Sequence, residues 1–377
     1  MTADRQRQGE APRSVLVVAA GEQFGGAERQ ILSLLSHMSA TPFTATLAVF
    51  FDRELAARAR AQGARVVILP GRGALRPSAV RSLAALARAE ANGVVHFHGY
   101  KAAVHVALAR LHTTFASVST IHGTPELYGT STLGRWRSSA YDQCLWLAIR
   151  WLRSAVVFVS QDLARRLSAR TPGLHYVIAN GIDADTVADL PRPQELSPSH
   201  FNVVIAGRLD MVKGVHFAIE AMRNPHMPLD VHLLVVGDGP QRAQLESACA
   251  ALSLRDRVTF TGFRDDAAAF IVNSDLLLMP SLYEGLPYTM LEAIASGTPI
   301  AASHVGGLAE TLEQGRTALL FQPADPAAIA AAVARASSAR EATRGMALRA
   351  RGELLARFDA AAMARAYAEV YTIAGRR

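Results

Sequence analysis

Short β-branched and aliphatic runs alternate along this chain with longer Ala-, Leu- and Arg-rich stretches whose apolar positions recur at helical spacing. In the first half, runs at 14–20, 44–50, 65–69, 94–98, 117–122, 155–160 and 175–179 predict strands, and 27–38, 77–91 and 162–169 predict helices between them. Strands of about five residues separated by helices of about 10–15 are the pattern of βαβ units in a parallel sheet. The second half repeats the scheme with strands at 202–206, 231–236, 258–261, 275–279 and 299–303, and from residue 325 the chain is almost entirely helical. Between the halves lies LPRPQELSPSH at 190–200, dense in Pro and Ser and poor in core residues, which reads as a linker. The predicted organisation is a flexible tail at 1–13, a Rossmann-like domain at 14–190, a linker at 191–200 and a second Rossmann-like domain at 201–377, whose last helix can pack back on the first. No short-period repeat is present; the duplication is one of architecture.

Two doubly wound domains place ligands outside the carboxyl ends of their strands, so the chemistry is expected in strand-to-helix turns that face a central cleft. The length of 377 residues suits two domains at about 150 each. With 50% hydrophobic and 19% charged residues the chain is too apolar to be disordered. Cys144 and Cys249 form neither a disulfide framework nor a CxxC knuckle, which favours a reducing compartment. The opening MTADRQRQGEAPR has no apolar core, and no apolar run reaches about 18 residues, so neither secretion nor membrane spanning is expected. Residues 1–190 hold 21 Lys and Arg against 13 Asp and Glu, whereas 191–377 hold 18 against 19. The basic first half suggests an anionic partner: a membrane face or a phosphorylated acceptor. No RNP-like aromatic motif, zinc-finger spacing or Lys/Arg run supports nucleic acid.

The densest chemistry is SLYEGLPYTMLEA at 281–293, where a strand ends, a turn follows and Pro287 suits the start of a helix. Eight helical residues would separate Glu284 and Glu292 by about 12 Å, so the two carboxylates are not expected to share a proton or a metal. They suit opposite ends of an elongated ligand, with free helix-start amides between them for an anion; the alternative is a solvated Glu and a helix-dipole Glu. In IAGRLDMVKG at 205–214, Arg208 ends a strand and Lys213 opens a helix, a fork and a point charge suited to a diphosphate, or two surface cations. Gly237 in VGDGP, Phe263 in TGF and the HVGG turn at 304–307 fall in the same register, with a nucleobase able to rest against Phe263. In GEQFGGAERQ at 21–30 the glycines match neither GxGxxG nor a P-loop, yet Gly26 at a helix start suits a phosphate. His96 and His98 share one strand face, where packing or hydrogen bonding outweighs a metal pair, and His98 is carried as an acceptor-binding candidate. His122, at a strand's carboxyl end, suits orienting a hydroxyl or stabilising charge. Asp183 and Asp185 read as loop polarity. The basic-aromatic stretch at 136–151 suits either a helix on anionic lipid or one packing Trp146 and Leu147 into the core, and the core reading is preferred.

Taken together, GGAER at 25–29, TIHG at 120–123, NGID at 180–183, GRLDMVKG at 207–214, VVGDGP at 235–240, PSLYEGLPYTMLEA at 280–293 and VGGLAE at 305–310 resemble the family-4 (group 1) retaining glycosyltransferases. The resemblance covers nearly the whole chain in the family's order, and the two glutamates eight apart with the upstream Arg and Lys are its specific part. It implies the GT-B fold and a nucleotide-diphosphate sugar donor, a UDP-sugar first, with no cofactor and no metal. It also implies that Arg208 and Lys213 bind the diphosphate and stabilise the leaving nucleotide, and that Glu292 holds the ribose. Glu284, Gly285 and Leu286 would line the sugar and phosphate, Gly26 would approach the diphosphate, and His122 would stand near the donor sugar and acceptor. Retention in the family is assigned to front-side attack, so neither Glu is cast as a nucleophile. The expected acceptor is a saccharide or lipid-linked saccharide at the cytoplasmic membrane face. The rival readings are a GT-B-shaped epimerase or hydrolase and a catalytically silent binding subunit.

Overall fold

The structure is a computed structural model that describes residues 13–89, 93–123 and 132–376, with backbone only for 132–138. The first unit runs β1 (Arg13–Ala19), α1 (Gly26–Ser36), β2 (Phe43–Val49), α2 (Glu54–Ala61), β3 (Arg65–Ile68), α3 (Pro77–Ala89), β4 (Val94–His98), α4 (Gly99–Ala109), β5 (Ala116–Ile121), α5 (Thr132–Leu152), β6 (Ala155–Phe158), α6 (Gln161–Leu167) and β7 (His175–Val177). The second runs β8 (Phe201–Ala206), α7 (Val215–Ala221), β9 (Val231–Val236), α8 (Arg242–Ala251), β10 (Val258–Gly262), α9 (Ala267–Val272), β11 (Leu276–Met279), α10 (Tyr288–Ser296), β12 (Ile300–Ser303), α11 (Gly306–Thr311) and β13 (Leu319–Phe321). Three helices follow: α12 (Pro326–Ser338), α13 (Arg340–Leu354) and α14 (Ala360–Gly375).

The strands pair in parallel as β3-β2-β1-β4-β5-β6-β7 and β10-β9-β8-β11-β12-β13. In each sheet the chain winds outward from the first strand, then returns to its other side. The crevices therefore open between β1 and β4 and between β8 and β11, the switch points where such sheets bind ligands. Strands buried on both faces explain the unbroken apolar runs: β4 and β8 are buried at every position. The sequence pattern missed β13, because LLF at 319–321 is only three residues long and contains no β-branched residue.

The second unit does not end on itself. Ile182 N–H donates to the Phe358 carbonyl at 2.7 Å, and α14 then lies against the first sheet, packing Met363, Tyr367, Val370 and Tyr371 with Val15, Val17, Val94 and Val118. A Cβ on Gly181 would lie 2.6 Å from Ala360 Cα, so only glycine admits this crossing. In α5, Trp146 is buried and donates through Nε1 to Asp142 at 2.8 Å. Leu147, expected beside it in the core, is instead 62% exposed, as is Trp151 at 53%. Successive helical residues diverge by about 100°, so the face that buries Trp146 turns Leu147 outward. The tail at 1–12 and the side chains of Arg135, Trp136 and Arg137 lie outside the described residues.

Candidate active site

The two crevices face each other, and their rim residues meet. After β8, Gly207 and Arg208 lead into a turn that ends at Gly214, whose left-handed backbone (φ +63) starts α7. A Cβ there would lie 2.1 Å from the Pro280 carbonyl, so the glycine lets this turn press against the end of β11. That contact brings Lys213 to Glu284: its Nζ donates to Glu284 Oε1 at 2.7 Å, and Ser281 Oγ donates to the same oxygen at 2.7 Å. Asp210 completes the rim. Burial pushes its carboxyl above the usual range while Lys213 and Arg208 pull it down. Arg208, Lys213, Ser281 and Glu284 line one pocket over the β8–β11 crevice.

Glu292 lies inside α10, almost fully buried, and its partner is Arg29 of α1 across the cleft. Burial raises its carboxyl pKa and Arg29 lowers it. Its second oxygen, Oε2, is buried without a hydrogen-bond partner among the described residues, an acceptor open to a hydroxyl once Arg29 gives way. Each of the two glutamates thus has its own cation, as their spacing required. Arg208 likewise reaches across to Gln23.

Several rim residues do other work than expected. Gly237 was read as a turn that lets backbone approach a ligand, but a Cβ there would lie 1.9 Å from the Gly207 carbonyl, so its smallness serves strand-end packing. Gly26 does face open space, with nothing within 4 Å of a Cβ. Phe263 is exposed beyond β10, the outermost strand of its sheet. Gly285 meets the first unit directly, its would-be Cβ 2.3 Å from the His122 carbonyl, and the Leu286 carbonyl accepts from Asn180 Nδ2 at 2.6 Å.

His98, carried as an acceptor contact, does not present its ring to the cleft. It is buried, lies tilted against the His96 ring, stacks on the His122 ring and places Nδ1 2.9 Å from His122 Nε2. Among the described residues, His98 Nε2 is buried without a partner. An orphaned acceptor costs less than an orphaned N–H, so the proton belongs on His98 Nδ1, which donates to His122 and leaves His122 its proton on Nδ1. Both nitrogens of His96 are taken by hydroxyls, Tyr371 at 2.7 Å and Thr120 at 2.8 Å, and Thr120 in turn lies 3.0 Å from the Tyr367 hydroxyl. Burial holds His122 at about 4 and His96 at about 3, with His98 also far below its ordinary value. These rings stay neutral in the fold, whereas in the unfolded chain they protonate near 6.5. Their contribution to stability is therefore complete above that pH and is lost as pH falls through 6.5 towards 4. Calorimetry at pH 7.5 and pH 5 is expected to show a Tm several degrees lower at pH 5; equal values would contradict the buried neutral cluster.

Sequence reasoning gave no role to Arg29, Gln23 or Ser281. A signal existed for Arg29: a cation in the first turn of a helix opposes the dipole and needs an acidic partner from elsewhere. Glu310 was also passed over, although both its oxygens accept amides of α6 across the cleft, Gln161 at 3.0 Å and Asp162 at 2.8 Å.

Comparison with known proteins agrees with this geometry. Residues 24–186 match the group described as Glycosyltransferase Family 4 and residues 200–338 the group described as Glycosyl transferases group 1. The 2-deoxystreptamine glucosyltransferase of Streptomyces kanamyceticus is 36% identical over 170 residues, which is 42% of this chain and 44% of that protein. The glycogen synthase of Mycobacterium tuberculosis H37Rv is 32% identical over 295 residues, 75% of this chain and 69% of that protein. The structure of Anabaena HepE with UDP and glucose aligns with a TM-score of 0.84 at 22% identity, over 96% of this chain and 100% of that one. With two facing Rossmann-like units and these matches across both, the chain belongs to the group 1 glycosyltransferases and has the GT-B fold.

Proposed function

We propose that this protein transfers a hexose from a nucleotide-diphosphate sugar, a UDP-sugar first, to a saccharide or lipid-linked saccharide acceptor, with retention and without a metal. The observation that carries the reading is the convergence of Arg208, Lys213 and Glu284 over the β8–β11 crevice, opposite the open Gly26 and with Glu292 buried alongside. Two cations there offset the charge that grows on a departing nucleoside diphosphate, which is where fixed electrostatics lower a barrier most. Glu292 Oε2 accepts a ribose hydroxyl, and Glu284, fixed by Lys213 and Ser281, meets the sugar. His122 turns its Nδ1–H towards donor and acceptor. Retention follows from front-side attack, with no carboxylate acting as nucleophile. The complexes of Anabaena HepE with UDP and with UDP-glucose support the choice of donor.

The reading places the protein at the cytoplasmic membrane face, with Leu147, Trp151 and the exposed Arg150 on one helix supporting peripheral contact with anionic lipid. Turnover of UDP-glucose, followed by UDP release with and without candidate acceptors, tests the activity, and co-sedimentation with anionic vesicles tests the contact. Glu292→Ala is expected to raise the donor KM about tenfold or more, since one hydrogen bond to a buried charged group is removed. Unchanged donor kinetics in that variant would sink the assignment of the ribose site.

A further inference from the structure

Of the 39 cationic side chains in this chain only two are lysines, Lys101 and Lys213, and both stand at the cleft on facing units. Lys213 belongs to the donor side. Lys101 lies in the first turn of α4 with its Nζ 4.5 Å from the centre of the Phe51 ring. Two more cations share that ring: Arg76 at 4.9 Å and Arg53 at 5.3 Å. Arg53, Arg76 and Lys101 stand at the starts of α2, α3 and α4, beyond the carboxyl ends of β2, β3 and β4. Three cations are therefore gathered where three helix dipoles are already positive, the end at which cations are least favourable.

Little negative charge offsets them. Arg53 donates to the Glu22 backbone carbonyl at 2.9 Å, and the buried Arg76 donates to the Phe50 carbonyl at 2.8 Å. Among the described residues, neither arginine has a carboxylate within salt-bridge distance, and Lys101 has only the half-exposed Glu22 at 3.7 Å. His105, whose Nε2 accepts the Arg76 amide at 3.1 Å, is held neutral and adds no charge. Glu22 is followed by Gln23, the residue that touches Arg208, so the cluster adjoins the donor side of the cleft.

We propose that Lys101 and Arg53, backed by the buried charge of Arg76, form a subsite for an anionic group on the acceptor, a phosphate or a carboxylate. The inference rests on the glycosyl-transfer reading and names the acceptor's class. A diamine such as 2-deoxystreptamine, which gives one relative its name, would be repelled by this cluster. Lys101 and Arg53 make the contact. Arg76, held by carbonyls against Phe50 and Phe51, supplies field without moving.

Having only two lysines makes the test direct. Trace acetylation of the full chain, quantified peptide by peptide, reads Lys101 and Lys213 separately. Glucose 6-phosphate is expected to slow acetylation of Lys101 about tenfold, while glucose and 2-deoxystreptamine leave it unchanged. Glucuronate in a parallel arm distinguishes a carboxylate from a phosphate. Arg53→Gln, an exposed substitution, is expected to abolish most of the protection. A calorimetric titration of glucose 6-phosphate onto wild type and Lys101→Met, independent of reagent access, is expected to show at least a tenfold loss of affinity in the variant. Equal Lys101 rates with and without glucose 6-phosphate, equal protection by glucose, or equal affinities in the two proteins would overturn the proposal. UDP is expected to protect Lys213 alone; its failure to do so would count against the donor reading and leave the Lys101 result standing.

Discussion

Replacing Lys213 with Ala is expected to lower kcat/KM for donor turnover about 10²- to 10³-fold, the scale on which removing one preorganised charge partner from a transition state acts. Lys213 stands 2.7 Å from Glu284, and the proposed chemistry has it neutralise charge that appears on the diphosphate only as the glycosidic bond breaks. The loss should therefore fall on kcat more than on KM. A second effect accompanies it. Glu284 is 8% exposed, so losing the Lys213 ammonium leaves a buried carboxylate that still accepts from the Ser281 hydroxyl, and the variant should also melt earlier. Lys213→Arg separates the two effects, because a guanidinium restores the charge and most of the stability but presents a rigid fork where a point charge fitted. Turnover within threefold of wild type in Lys213→Ala would remove this residue from the mechanism.

Gly285→Ala is the second large effect. Its new methyl would stand 2.3 Å from the His122 carbonyl, in the opposite unit, and about 1 Å of opening is needed to reach an ordinary contact. Misplacement on that scale between reacting groups costs about 100-fold. The other close neighbour, Leu163 Cδ1 at 3.1 Å, is a side-chain end that can move. Each unit should therefore keep its own fold, with Tm nearly unchanged while transfer falls and nucleotide binding to the second unit alone persists. Gly307→Ala makes the contrast: its methyl would meet the Gly285 carbonyl at 1.6 Å within one unit, so there the loss should appear in Tm. Full activity in Gly285→Ala would mean that the closed contact is not part of the working state.

The fold was legible because parallel strands buried on both faces write themselves as apolar runs: β4 and β9 have the bounds read from sequence. The rim over the β8–β11 crevice was legible because its residues lie close in sequence to strand ends, as with Arg208, Lys213 and Glu284. What escaped were partners fixed by tertiary approach. Arg29 and Glu292 are 263 positions apart, and no local pattern links them. His98 was misread because alternation gives the face of a strand but not what packs against it, which here is the rings of His96 and His122. Gly237 was misread for a similar reason, since a glycine needed for a ligand and one needed for a neighbouring carbonyl look alike in sequence.

The last helix, α14, sets the order in which the molecule can be completed on the ribosome. The strands it packs on, β4 and β5 above all, are synthesised early, whereas residues 360–375 emerge only after the entire second unit. At ordinary synthesis rates the interval of nearly two hundred residues lasts roughly 10–40 s. Throughout that time Val15, Val17 and Val118 lack their final cover, and His96 lacks the hydroxyl of Tyr371. The nascent first half therefore keeps an apolar sheet face uncovered for the whole of that interval.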